Sequence, residues 1–359
     1  MNSKNYFYPA LFLGLFILNA CKDIHSSTTG LYEHGVVITN EGAYGSGTGS
    51  ISYYNPTADS VYNDLFEKAN NFPLGDVVQS FSVANDKGFI VVNNSQKVEV
   101  VLLKTFKSLG VIVASYPRYF IPVNSSKGYL TNGSYPGQVF VINTETYTIM
   151  DTIFVGNQPE HLLLVGSKVF VANGNWGNDS TISVIDASTD KLLKTIPVGD
   201  GASNLVNVSN SSIWILCQGK KVYNADYTKV ILETDSHLLE MDVSNYKMQF
   251  STIIGKKGDN CNPYLLSSDK SGNIYYAEAD GVHKVIPSSS TVEDKILIPW
   301  DNSSGFSIYG MNVDPVTSNI YLLIPNGYSS AGKFYIYDPT GKILHSFDVG
   351  IGPNAAVRY

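Results

Sequence analysis

The side chains able to do acid–base, nucleophilic or metal chemistry are few and scattered in this 359-residue chain. The histidines are His25, His34, His161, His237, His283 and His345, and no HExxH, GxSxG or haem-attachment motif frames any of them. Cys21, Cys217 and Cys261 form no CxxC and no paired Cys/His spacing, so neither a zinc centre nor a c-type haem is expected. Glu41, Asn94, Asn173 and Glu278 could supply hard oxygens to calcium, but nothing in their spacing singles them out. The sequence therefore predicts no catalytic residues, no bound metal and no cofactor. The chemistry that does recur is that of recognition. In "VFVANGNWGNDSTISVID", from Val169 to Asp186, Trp176 stands in a loop of Asn, Gly and Asp between two strand-like runs. A large aromatic there is not required by turn chemistry, and aromatics beside amides are the usual lining of a binding surface.

The elements that must hold such loops are legible as a repeat. Gly88–Val113, Gly128–Gly156 and the unit beginning at Val169 each run through the same order: an apolar strand, an Asn-rich loop, an alternating strand, a turn, and an Ile/Val-rich strand. A further strand precedes each, in "VVQSFSV", "PRYFIPV" and "PEHLLLV". Four strands at a period of about 40 residues mean propeller blades. A fifth unit spans about Ala202 to Gly255, with an insertion at "KKVYNADYTKVILETDSH". A sixth spans about Pro263 to Ile298, and a seventh about Ser307 to Gly350. The first, about Gly35 to Asn70, lacks an opening strand, and the closing "GPNAAVRY" supplies one with nothing after it. The prediction is an all-β, seven-bladed β-propeller of four-stranded blades over residues 35–359, its first blade closed by the C-terminal strand. No helical periodicity is visible beyond the N-terminal segment.

In a propeller the loops between second and third strands share one face with the blade-to-blade connections. Alignment of the blades puts Asn40, Glu41, Tyr44, Asn94, Tyr135, Asn173, Trp176 and Tyr328 in the first set of loops. It puts Tyr116, Arg118, Glu160, His161, Tyr264, Tyr309 and Asn354 in or beside the second. The candidate ligand-binding residues are Asn40, Glu41, Tyr44, Asn94, Tyr116, Arg118, Tyr135, His161, Asn173, Trp176, Tyr264, Tyr309 and Tyr328. A single Asn after a strand is as readily turn chemistry, because Asn tolerates left-handed backbone and caps turns. The aromatics, recurring on one face, are harder to assign to packing alone. Cys217 and Cys261 fall towards this face in neighbouring blades, so a disulfide and two buried thiols are both open readings. Turns at the other end, such as "ANDKG" and "DPVTSN", are ordinary tight-turn sequences.

Composition limits the partners. With 24 Lys and Arg against 31 Asp and Glu, the net charge of −7 argues against nucleic acid. Residues 1–20 carry one early lysine and then an apolar run too short to span a bilayer, and read as a signal peptide. They end in "LNAC", which resembles the bacterial lipobox; the resemblance implies that Cys21 is acylated and anchors the chain to a bilayer. Residues 21–34 then form a polar tether. Its Lys22, Asp23 and serines resemble in part the surface-export signal of Bacteroidota lipoproteins. An exported chain also permits a disulfide.

"VANGNWGNDSTISVIDASTDKLLKTIPVG" and "QPEHLLL" resemble YVTN-type propeller repeats. Together with the lipobox, "NEGAYGSGTGSISYYNP", "PLGDVVQSF" and "VVNNSQKVEVV", they resemble the surface propeller lipoproteins of Bacteroidota, including the cobalamin-capturing (BtuG-type) branch. That resemblance implies an outer-membrane, lipid-anchored protein facing the cell exterior. It also implies capture of a corrinoid (vitamin B12) or similar nutrient for a TonB-dependent transporter. The alternative is a surface scaffold or adhesion propeller that binds a protein or a glycan.

Overall fold

A computed structural model describes residues 32, 34–258, 263–287, 292–301, 305 and 307–359. The segment expected to be a signal peptide, Cys21 and most of the expected tether therefore lie outside the described residues, as does Cys261. Among the described residues, no helix is long and apolar enough to cross a membrane.

Seven four-stranded antiparallel sheets stand around a central channel. Blade 1 runs outward from Pro353–Arg358 through Val36–Asn40 and Ser50–Asn55 to Ser60–Tyr62. Blade 2 begins at Val78–Ala84, blade 3 at Pro117–Pro122 and blade 4 at Pro159–Val165. Blade 5 begins at Ala202–Ser209, blade 6 at Leu266–Ser268 and blade 7 at Gly310–Val313. Each of these inner strands touches the inner strands of both neighbouring blades, which closes the ring. The closure is the expected one: Val36 pairs with Arg358 and Ile38 with Ala356, so the C-terminal strand lies innermost in the first blade. A sheet edge that would otherwise be open is thereby paired.

The strand sequences follow from where each strand sits. The second strands Val36–Asn40 and Lys168–Asn173 are buried almost throughout, because neighbouring blades cover both of their faces. The outer strand Lys107–Val113 mostly alternates between exposed and half-buried residues. Seven apolar clusters fill the seven junctions between blades; the one between blades 4 and 5, for example, joins Phe170, Val184, Ile213 and Leu239.

Two local features depart from the repeat. A six-residue helix, Leu65–Asn70, follows blade 1 and buries Leu65 and Phe66 between blades 1 and 2. It is too short to leave a helical period in the sequence, and its place is fixed by that packing. The insertion in blade 5 folds as a separate hairpin, Lys221–Tyr223 with Val230–Glu233. The hairpin connects the second and third strands, Ser212–Cys217 and Ser236–Asp242, so it rises from the face where the candidate loops cluster.

Candidate binding face and channel mouth

The strand order places the loops between second and third strands, and the connections between blades, at one end of the channel. Tyr44, Tyr116, Tyr135, Trp176, Tyr264 and Tyr328 all reach solvent there, with Tyr135 at 80% and Trp176 at 73% exposure. Trp176 adopts φ 52° and ψ 37°, a left-handed conformation that costs a side chain of its size about 1 kcal/mol or more. The adjoining Gly177 packs against the base of the blade 5 hairpin, where an added Cβ would meet the Gly219 carbonyl at 2.7 Å. Tyr116 also has positive φ, but so do Val77, Gln158, Gly201 and Gly352, each one residue before an inner strand. For Tyr116 this backbone is therefore a property of the repeat; for Trp176 it is local.

Below the aromatics, inner strands from four blades meet in a polar network. Arg118 donates from Nε and Nη2 to the Glu160 carboxylate at 3.1 and 2.9 Å, and from Nη1 to Gln79 Oε1 at 2.5 Å. Gln79 Nε2 in turn donates to the Tyr119 hydroxyl at 3.3 Å. The Tyr119 ring lies against the His161 ring, with centroids 3.9 Å apart. On the other side, the Tyr309 hydroxyl donates to Glu41 Oε2 at 2.8 Å, and Asn354 Nδ2 donates to Glu41 Oε1 at 3.2 Å. Asn354 also bonds the Val78 and Gln79 carbonyls, at 3.1 and 3.0 Å, tying blade 1 to blade 2. The Tyr264 hydroxyl donates to the Tyr309 carbonyl at 3.0 Å.

Burial governs the protonation of this network. It raises the Glu41 carboxyl above its usual range, against the pull of its Tyr309 and Asn354 bonds and of the more distant Arg118. Burial, with the nearby Arg118 charge, lowers His161 to about 3, so its imidazole is neutral at ordinary pH. Burial also lifts the Tyr119 phenol to about 12 and raises those of Tyr264 and Tyr309. Burial opposes the charge of Arg118, and Glu160 more than offsets it.

The structure thus brings together Glu41, Arg118, His161, Tyr264 and Tyr309 of the predicted set, and leaves Tyr44, Tyr116, Tyr135, Trp176 and Tyr328 exposed above them. Asn40 and Asn173 do not belong to the binding face. Both are fully buried at the ends of second strands. Asn40 Nδ2 bonds Ser52 Oγ at 3.0 Å, and Asn173 Nδ2 bonds Thr181 and Ser183 hydroxyls at 3.0 Å each. These amides clamp the second strand to the third. The "VG" that ends the outer strands fits the same site: a Cβ at Gly156 would lie 2.5 Å from the Asn173 side chain. Cys217 holds the corresponding position in blade 5. Its thiol has no disulfide partner among the described residues, is fully buried, and is raised to about 12 by desolvation. Asn94 is at the surface, but its amide is held by the Asp76 carboxylate.

Gln79 and Tyr119 belong to the network although the repeat pattern does not single them out. Strict alternation sends only one of two successive residues into the channel. The inner strands break that rule through register shifts, between Pro117 and Phe120 in blade 3 and between Pro159 and Leu162 in blade 4. Each β-bulge turns a pair, Arg118 with Tyr119 and Glu160 with His161, into the network together. The proline that opens each of these strands was the available signal. Among the described residues there is no group of three His, Cys, Asp or Glu that could hold a metal.

Fold and site define a seven-bladed propeller whose channel mouth is filled by hydrogen-bonded side chains and ringed by exposed aromatics. The chain belongs to a family described as a domain of unknown function (DUF5074), which matches residues 34–349. No curated protein matches it. Among solved structures it is similar to a quinoprotein alcohol dehydrogenase-like protein from Bacteroides thetaiotaomicron, with 13% identity, TM-score 0.67, and 91% of this chain and 78% of that one covered. A periplasmic gluconolactonase from Pseudomonas aeruginosa aligns with 13% identity and TM-score 0.61, over 90% of this chain and 99% of that one. The apo form of AztD from Citrobacter koseri aligns with 10% identity and TM-score 0.55, over 90% and 98%. At such identities the likeness is one of fold.

Proposed function

We propose that this propeller is a ligand-binding protein without catalytic activity, anchored through Cys21 to the outer membrane and facing the cell exterior. In this reading it captures a corrinoid, or a nutrient of similar build, for a TonB-dependent transporter. The carrying observation is the ring of exposed aromatics at one end of the channel, above a floor of amide, hydroxyl and carboxylate groups. A corrinoid is a flat macrocycle edged with amides. Tyr and Trp faces would cover its apolar parts while the floor and rim groups exchange hydrogen bonds with its edge. Trp176 is held in a left-handed backbone that a smaller residue would adopt more cheaply, which supports a role for the indole outside the fold itself.

Absorbance titration of the purified, lipid-free protein with cyanocobalamin tests this. Saturable binding at or below micromolar concentration is expected, and no binding in that range would reject the corrinoid. A Trp176→Ala, Tyr264→Ala variant should lose at least tenfold in affinity. Full affinity in that variant would reject the choice of face.

One observation favours the second reading, a scaffold or adhesion propeller. The blade 5 hairpin adds Tyr223, Tyr227, Ile231 and Leu232 as exposed apolar side chains beside Trp176. Such a surface extends beyond what a small ligand at the mouth would cover and suits a protein or glycan. Deletion of the hairpin separates the two, since corrinoid affinity should survive it and protein or glycan binding should not.

A further inference from the structure

One carboxylate at the channel mouth has no close cation among the described residues, and this points to a ligand. Two carboxylates belong to the polar network at the mouth, Glu160 from the inner strand of blade 4 and Glu41 from the loop between the second and third strands of blade 1. One cation belongs to it, Arg118 from the inner strand of blade 3, and its Nε and Nη2 lie 3.1 and 2.9 Å from Glu160. Glu41 receives Arg118 only as a more distant charge. Its close partners are neutral, the Tyr309 hydroxyl at 2.8 Å and the Asn354 amide at 3.2 Å. The other titratable groups of the network are His161, held neutral, and the phenols of Tyr119, Tyr264, Tyr309 and Tyr328; Asp76, two residues before the inner strand of blade 2, is a further buried carboxylate, held by the Gly45 N–H and the Asn94 amide. Glu41 therefore has no cation within hydrogen-bond reach among the described residues, and its carboxylate is only partly open to solvent.

Its surroundings are aromatic. The Tyr309 hydroxyl is committed to Glu41 and the Tyr264 hydroxyl to the Tyr309 carbonyl. What these rings still offer a ligand is their carbon and π surface. Tyr328, in the loop between the second and third strands of blade 7, stands at the same end and is near enough to raise both phenols. A carboxylate among tyrosine rings is the arrangement that holds an organic cation, with the carboxylate supplying charge and an acceptor and the rings their negative faces.

We propose that the channel mouth is a subsite for an organic ammonium group, seated on the Glu41 carboxylate beside Tyr264, Tyr309 and Tyr328. The subsite does not depend on which larger molecule covers the aromatic face. Its position beneath that face allows it to select, among ligands of suitable shape, those that carry an amine at the buried end.

Isothermal titration of the full chain with n-butylammonium chloride, and with butanol as the uncharged control, tests it. Saturable, millimolar-range binding of butylammonium is expected, on the order of tenfold tighter than butanol. Glu41→Gln keeps an oxygen acceptor for Tyr309 and removes the charge, and should weaken butylammonium by roughly tenfold or more while leaving the thermal midpoint nearly unchanged. Equal binding of butanol and butylammonium, undiminished binding to the Gln variant, or no butylammonium binding to the parent chain would each overturn the proposal. The cyanocobalamin titration is a separate measurement, so its failure and this one are told apart.

Discussion

The two ends of the propeller use the same side-chain types in opposite ways. At the end away from the aromatics, polar residues are spent on the chain's own turns. Asp314 Oδ1 accepts the Val316 and Thr317 amides at 2.7 and 3.2 Å, while its Oδ2 accepts the Tyr321 hydroxyl at 2.5 Å and Arg358 Nη1 at 3.2 Å. Asp269 does the same in blade 6, receiving the Ser271 amide at 2.8 Å and the Tyr275 hydroxyl at 2.9 Å. Asp186, Asp242 and Asp338 each close the turn before an outer strand by accepting a backbone N–H at 2.8 Å. At the channel mouth, by contrast, Glu41, Arg118 and Glu160 bridge different blades, and tyrosines stand in solvent. Tyrosine hydroxyls at the first end lock a turn; at the second, several rings lock nothing. The contrast teaches that one end is optimised for holding the fold and the other is held available for something outside it.

Removing Asp314 should break this contrast most severely. Asp314→Ala leaves the buried Tyr321 hydroxyl, Arg358 and two backbone amides without their acceptor, and should cost about 3 kcal/mol in urea unfolding. If that variant were as stable as the parent, the division of labour between the ends would fall. The opposite pattern is expected for Trp176→Ala with Tyr264→Ala: a change in stability within about 1 kcal/mol, set against a loss of about 2 kcal/mol in ligand affinity.

Two histidines sharpen the comparison through pH. His161 is lowered to about 3 by burial and by Arg118. The unfolded chain takes up that proton below about pH 6.5 and the native chain does not, so stability is full above that pH and falls as the solution is acidified towards 3. Going from pH 7 to 4.5, His161→Gln should lose about 1–2 kcal/mol less than the parent in paired urea titrations. His283, in blade 6, has the reverse sign. Desolvation opposes its charge, but its bonds to Asp294 at 3.1 Å and Asp280 at 3.0 Å raise it to about 9. Its contribution is complete below about pH 6.5 and is lost as pH rises through 9. Both carboxylates are well exposed, so His283→Gln should remove only about 1 kcal/mol at pH 6, and nothing at pH 10.

The sequence alone determined the architecture. A four-strand unit repeated at a fixed period cannot bury its faces singly, and the missing strand at one terminus matched a surplus strand at the other. Val36 pairing with Arg358 is the realisation of that pattern. The aromatic loops, from Tyr44 to Tyr328, were legible for the same reason, since position in the repeat assigns a loop to an end of the channel. The tertiary structure decided which polar residues are free to act. Asn173 ends a second strand and Trp176 stands three residues on in the loop that follows, yet one is buried against Thr181 and Ser183 and the other reaches solvent. Repeat position cannot separate them, because burial depends on whether the third strand offers hydroxyls to the amide. Nor could it show that Gln79 and Tyr119 join Arg118, Glu160 and His161. That assembly rests on bulges in inner strands far apart in sequence, and on partners that meet only when the ring closes.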